Sequence, residues 1–200
     1  MTPQPPPAPS GSAQAQVPPG ADQRAAWLAE DQAVRARLAS GAGPGVSRPE
    51  QLKGLTGLQL MQALMAGELP FASIAQTLDF VLLHVEPGQA IFQGTPSRAH
   101  LNPMGTVHGG WYATLLDSAL GCAVHTMMPA GRAYTTAELS LNIVRAAWPD
   151  REPLRAIGQV LHAGRQLATA EGRLVDAQGR LYAHATTTCL VFETPDSARG

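Results

Sequence analysis

The feature that most constrains this chain is a helix-forming run, His108 to Met128, that is apolar on nearly every side and ends at Pro129 and Gly131. A helix with no wide polar face cannot lie on a surface, so it must be wrapped by the rest of the fold. The flanking segments supply the wrapping. Thr77 to Glu86 is rich in β-forming residues, and Pro87-Gly88 turns it into a second strand over Gln89 to Thr95. Extended stretches follow the helix at 133–145, 153–163, 165–176 and 180–193, the last two joined by a hairpin turn at Asp176-Ala-Gln-Gly179. Strands gathered beside one helix predict an α+β fold, with a curved antiparallel sheet wrapped around one long central helix.

The folded domain is expected over 51–193, with a helix from Leu55 to Glu68 before the first strand. Residues 1–50 read as a disordered or partly helical N-terminal extension. Within it, 22–39 has helical character with Asp22 as its cap, and 1–20 is Pro-, Ala- and Gln-rich. Residues 194–200 read as a flexible tail. Met1 to Gly20 lacks the basic and apolar regions of a secretory signal, and nowhere do 18 apolar residues run together uncharged. With a net charge of −1 and no basic run, neither a nucleic acid nor an anionic membrane is an expected partner. Cys122 and Cys189 lie in apolar runs without metal or disulfide spacing, and the expected location is the cytoplasm.

Asp117 is the one charged residue of the long helix. Its helical neighbours Ala113, Thr114, Leu120 and Gly121 cannot neutralise it, and buried unpaired carboxylates concentrate at functional sites. At the helix start, His108-Gly109-Gly110 offers N–H groups without intrahelical partners and room for close approach, as a developing oxyanion needs. Gly109 and Asp117 are eight residues apart, about 12 Å along one helix. If both serve one reaction, the aspartate comes from a second, antiparallel copy. No nucleophile elbow, P-loop or dinucleotide fingerprint is present, and the remaining histidines show no ligand spacing.

The run Asn102-Pro-Met-Gly105-Thr-Val-His108-Gly109-Gly110, followed by Asp117, resembles the PaaI-type hotdog thioesterases. The resemblance spans about 54–193 and includes Thr135-Thr136-Ala-Glu138, Asn142-Ile-Val-Arg145 and His162-Ala-Gly164-Arg165. It implies a hotdog fold, a homodimer or homotetramer, and hydrolysis of acyl-CoA thioesters without metal or organic cofactor. By position, the Gly109 N–H would polarise the thioester carbonyl. Asp117 of the partner subunit would act as general base or nucleophile, Asn102 would orient water or carbonyl, His108 would shape the entrance, and Thr136 holds the helper position. Arg145 and Arg165 are candidate CoA phosphate contacts, since guanidinium forks suit phosphate. Trp111 and Tyr112 suit an aryl or medium acyl chain, or else the core. The chain departs from the pattern after Arg145, where Ala146 stands in place of the usual proline. Two other readings are an acyl dehydratase on the same fold, which would place its histidine and acid differently, and a non-catalytic acyl-CoA sensor.

Overall fold

The computed structural model describes residues 21–194, so the expectations for 1–20 and for the tail beyond 194 lie outside the described residues. Within them, five α-helices, α1 (Ala21–Ala39), α2 (Pro49–Leu52), α3 (Gly57–Ala66), α4 (Ser73–Thr77) and α5 (Gly109–Thr126), accompany six strands. The strands are β1 (Phe80–Glu86), β2 (Gln89–Gly94), β3 (Arg132–Ile143), β4 (Leu154–Ala163), β5 (Leu167–Val175) and β6 (Leu181–Glu193). All strand pairings are antiparallel, in the order β1-β2-β4-β5-β6-β3, and α5 lies in the concave face.

The wrapping follows from the helix composition. Leu115, Leu116, Ala119, Leu120, Ala123 and Val124 are fully buried against the sheet, where a leucine-to-alanine truncation costs about 2–5 kcal/mol. Gly158 lets the sheet touch the helix backbone, because a Cβ there would stand 2.4 Å from the Ala119 carbonyl oxygen. Trp111 and Tyr112 belong to the core: the indole Nε1 donates to the Leu78 carbonyl at 2.9 Å, and the Tyr112 hydroxyl accepts from the Ala147 N–H at 2.6 Å. The turn after β5 is held by buried Asp176, whose Oδ1 accepts from the Gln178 and Arg180 N–H groups at 3.0 and 2.9 Å.

Three local expectations change. Thr77 closes the short helix α4 rather than opening β1, because Leu78 must present its carbonyl to Trp111. The helix expected over 55–68 is trimmed to α3, with Thr56 as its cap, accepting from the Gln59 N–H, and Gly67 in a left-handed conformation ending it. Asp22 lies inside the first turn of α1 and not at its cap. That helix is docked on the outer face of the sheet: Val34 and Leu38 meet Val81 and Leu83 of β1. Nearer its start, Trp27 stacks 4.2 Å from the Arg155 guanidinium, which also donates to buried Gln93 and to Glu30. Among the described residues no helix is long and apolar enough to cross a membrane.

Candidate active site

The start of α5 is built by its own cap. His108 is extended (φ −64°, ψ 139°), and its Nδ1 accepts from the Gly110 N–H at 2.9 Å. Its backbone N–H donates to the His100 carbonyl at 2.8 Å, which ties the helix start to the preceding loop. With Gly110 satisfied by the imidazole, the Gly109 N–H is left without a partner among the described residues. It sits at the positive end of the helix. A Cβ on Gly109 would come 3.3 Å from Ile143 Cδ1, so this donor lies beside the C-terminal end of β3.

Asn102 stands in the loop before that helix with both side-chain ends engaged. Its Nδ2 donates to Thr106 Oγ1 at 2.7 Å, and its Oδ1 accepts from the Met104 and Thr106 N–H groups at 2.9 and 3.3 Å. It therefore shapes the loop that presents His108 and Gly109.

Asp117 is half-buried, not sealed in the core, and it has a partner: Thr136 Oγ1 donates to its Oδ1 at 3.0 Å. The reason is that α5 is not covered all round. Its residues Ala113, Thr114, Asp117, Ser118, Cys122 and His125 form a half-open stripe at helical spacing, facing the exposed strand β3. A β-bulge between Thr136 and Glu138 shifts the register of β3 beside this contact, as bulges near active sites often do. One step along the strand, Tyr134 lies on Gly121, where a Cβ would stand 2.4 Å from its hydroxyl. Burial, with nearby Cys122, Cys189 and Asp117, pushes the Tyr134 pKa well above its ordinary value. Burial beside Asp117 pushes the Cys122 thiol up to about 12, so neither group supplies a ready nucleophile. Among the described residues no group of His, Cys, Asp and Glu could hold a metal ion.

The expected residues thus fall into two clusters on one helix: Asn102, His108 and Gly109 at its start, and Asp117 with Thr136 two turns on. The arginines join neither. Arg145, just beyond β3, donates to the Leu181 carbonyl at 3.2 Å and lies over the Tyr182 ring. Arg165 is in the β4–β5 turn, where its carbonyl accepts from Arg132 at the other end of β3. The length of β3, about 35 Å for a strand of its size, separates them within one chain. Tyr134 and Arg132 escaped sequence reading. The alternation Arg132, Tyr134, Thr136 on one face of the strand was the signal that could have found them.

A model of the thioesterase superfamily matches residues 104–183, a segment that holds Gly109, Asp117 and Thr136. A phenylacetic acid degradation-related protein from Ralstonia eutropha JMP134 is 30% identical, with a TM-score of 0.60 over 65% of this chain and 98% of that one. The chain belongs to the thioesterase superfamily, in its PaaI-type hotdog branch. A variant of the phenylacetic acid degradation protein PaaI from Thermus thermophilus is 27% identical, with a TM-score of 0.54 over 59% and 97% of the two chains. A hypothetical thioesterase protein from Streptococcus pneumoniae TIGR4, solved with coenzyme A, shares the fold at 24% identity and a TM-score of 0.55, over 60% and 92%. No curated protein sequence matches significantly. In this PaaI-type hotdog, then, the family's match falls on α5 and on strands beside it, and holds His108, Gly109, Asp117 and Thr136, with Asn102 just before it.

Proposed function

We propose that two copies of this chain hydrolyse an acyl-CoA thioester to CoA and free acid, at sites shared across paired β3 edges. One observation carries the reading. The free Gly109 N–H lies beside Ile143, while Asp117 is held by Thr136, so the two groups meet the same strand at points seven residues apart. If β3 pairs with a second β3 in antiparallel register centred on Ser140, with Ala137 bulged out of the ladder, Ile143 falls opposite the partner's Thr136. Gly109 of one copy then faces the partner's Asp117, which the 12 Å along one helix forbids within a chain.

In that arrangement the thioester carbonyl oxygen accepts from the Gly109 N–H, aided by the helix dipole, and the charge developing on it is stabilised there. The carboxylate of the partner's Asp117, oriented by the partner's Thr136, takes a proton from water as the water attacks the carbonyl carbon. Collapse of the intermediate breaks the carbon–sulfur bond, the thiolate takes up the proton, and acid and CoA leave. If Asp117 instead attacks directly, the thiolate leaves, an anhydride forms and water then opens it at the aspartyl carbonyl; a single turnover in heavy-oxygen water labels the Asp117 carboxylate in that case, and the product acid in the general-base case. The coenzyme A held by the Streptococcus pneumoniae protein supports CoA as a thiol that this fold accommodates. The assembly is a homodimer, or a tetramer of two such dimers, and two free cysteines suit a reducing cytoplasm.

The test is thiol release from aliphatic and aromatic acyl-CoAs by wild type, Asp117→Ala and Gly109→Pro. Proline suits the first helical position, and the extended His108 before it is compatible, so Gly109→Pro removes one N–H and keeps the helix. Each variant is expected to lose about 10²–10³-fold in kcat, whereas Gly109→Ala, which keeps the N–H, loses far less. Mixing Asp117→Ala with Gly109→Pro should restore activity, because a mixed dimer contains one intact site. Failure of the mixture, with mixed dimers present, would place both groups in separate sites and sink the shared one.

A further inference from the structure

A cleft of ≈ 670 Å³ opens where β3 begins and the β4–β5 turn folds over the end of the sheet, lined by Arg132, His162, Arg165, Leu167, Val191 and Glu193 among others. Its chemistry is unusual for a surface cleft. The Arg132 guanidinium donates from Nη2 to the Arg165 carbonyl, which fixes it in place, but its Nε–H is buried with no partner among the described residues. A buried guanidinium donor left unpaired is costly, and native structures leave few such groups without a ligand, ion or water to receive them. The Arg165 side chain is exposed and makes no hydrogen bond or ion pair among the described residues, and Glu193 bridges to neither arginine. Gly164 leaves the space that His162 occupies on the wall, since a Cβ there would meet His162 Nε2 at 2.7 Å. Two guanidinium groups and an imidazole therefore border one cavity against a single carboxylate.

We propose that this cleft binds a phosphate group, received by the Arg132 Nε–H and the Arg165 fork. Guanidinium groups match phosphate in geometry and lose little hydration on pairing, which suits a donor already stripped of water. Arg132 precedes Thr136 by four residues, about 13 Å along the strand, so the cleft is separate from the Asp117 contact yet near it. The phosphate has two sources: the terminal phosphates of CoA itself, or a free nucleotide that binds beside the site. The inference does not depend on hydrolysis.

The experiment is calorimetric titration of the full chain with CoA, CoA lacking its ribose phosphate, adenosine bisphosphate and inorganic phosphate. The proteins are wild type, Arg132→Gln, Arg165→Gln and, as a control on exposed β5, Arg173→Gln. Arg132→Gln and Arg165→Gln should each weaken phosphate-ligand binding about tenfold, the loss of one charge-assisted hydrogen bond, and Arg173→Gln should leave it within about twofold. An arginine dependence that vanishes when CoA lacks its ribose phosphate assigns the cleft to CoA. The same dependence seen with adenosine bisphosphate or inorganic phosphate, but not with CoA, assigns it to a free ligand. Equal binding of every phosphate compound to wild type and both variants overturns the proposal. So does a shift from dimer to monomer with phosphate binding unchanged, since the arginines would then be interchain contacts. Should Arg132→Gln fail to fold, the exposed Arg165 still decides. Turnover of an acyl N-acetylcysteamine thioester, which carries no phosphate, should be unchanged in both variants, so failure of the thioesterase reading is seen separately.

Discussion

The sheet has two edges, and the chain treats them oppositely. The β1 edge is seven residues long, interrupted by a bulge between Leu82 and His84, and covered on both faces by the chain's own elements. On the outside, α1 lays Val34 and Leu38 over Val81 and Leu83, and Arg35 ties the helix to Asp79 at 2.6 Å. On the inside, Phe80 and Val85 belong to the main core. The β3 edge is twelve residues long, and Thr135 to Glu138 are exposed in a row. Ile143 and Val144 at its far end are 45% and 57% exposed, which a monomer gains nothing by presenting to water. A long uncovered edge is a template for pairing, which proteins usually blunt. Here one edge is blunted and the other left open, and the candidate catalytic groups sit along the open one. The difference predicts that lesions at β3 cost activity through assembly, and lesions at β1 cost stability alone.

The largest effect is expected from Ser140→Asp, which places two carboxylates beside each other across the proposed axis. Sedimentation should show a monomer, and thiol release per chain should fall about 10²-fold or more, because each Asp117 loses the partner's Gly109 N–H. A fully active dimer carrying this change would mean that β3 is not the shared edge. On the covered side, Trp27→Ala removes a buried indole stacked on Arg155 and should cost about 3 kcal/mol in denaturant unfolding. Its activity per folded molecule should be unchanged. Lost turnover at full folding would mean that α1 reaches the site.

Much of the fold was legible in the sequence and the contrast between its two edges was not, for physical reasons. The wrapping of α5, the β5–β6 turn and the helix at 22–39 follow from local composition, which is why they were read nearly to the residue. The open stripe on α5 was not, because small residues such as Ala113, Ser118 and Cys122 count as apolar whether or not anything covers them. The expectation that Asp117 lacks a partner among its helical neighbours was sound as far as helical spacing goes. Its partner, Thr136, lies nineteen residues on and meets it only through the sheet. Arg145 and Arg165 looked equivalent as candidate phosphate contacts, since sequence carries no measure of their separation along β3. The bulge that resets β3 after Thr136 also leaves no compositional trace.

Thr136→Ala should have a smaller effect than either edge lesion. It removes one hydrogen bond to a charged group without disturbing assembly, so kcat should fall about tenfold while the dimer persists. Rescue by Thr136→Ser, which keeps the hydroxyl, would separate the hydrogen bond from the packing of the methyl.

The smallest effect concerns pH and asks whether the inner side of β3 is as dry as its outer edge is wet. His125 lies in the α5 stripe with its ring 5.6 Å from that of Tyr134, and burial lowers its pKa below the usual 6.5. A lowered folded-state pKa means that the unfolded chain binds the proton first as pH falls. The stability from a neutral His125 is therefore complete above the unfolded value of 6.5 and is lost as pH drops through the lowered folded value. Thermal unfolding followed from pH 7.5 to 5 should show a decline that His125→Gln removes, since glutamine fills similar space and does not titrate. If the decline is identical in the variant, His125 is wetter than its place against Tyr134 implies. The open edge then extends inward along the α5 stripe, and the contrast between the two edges reaches the core.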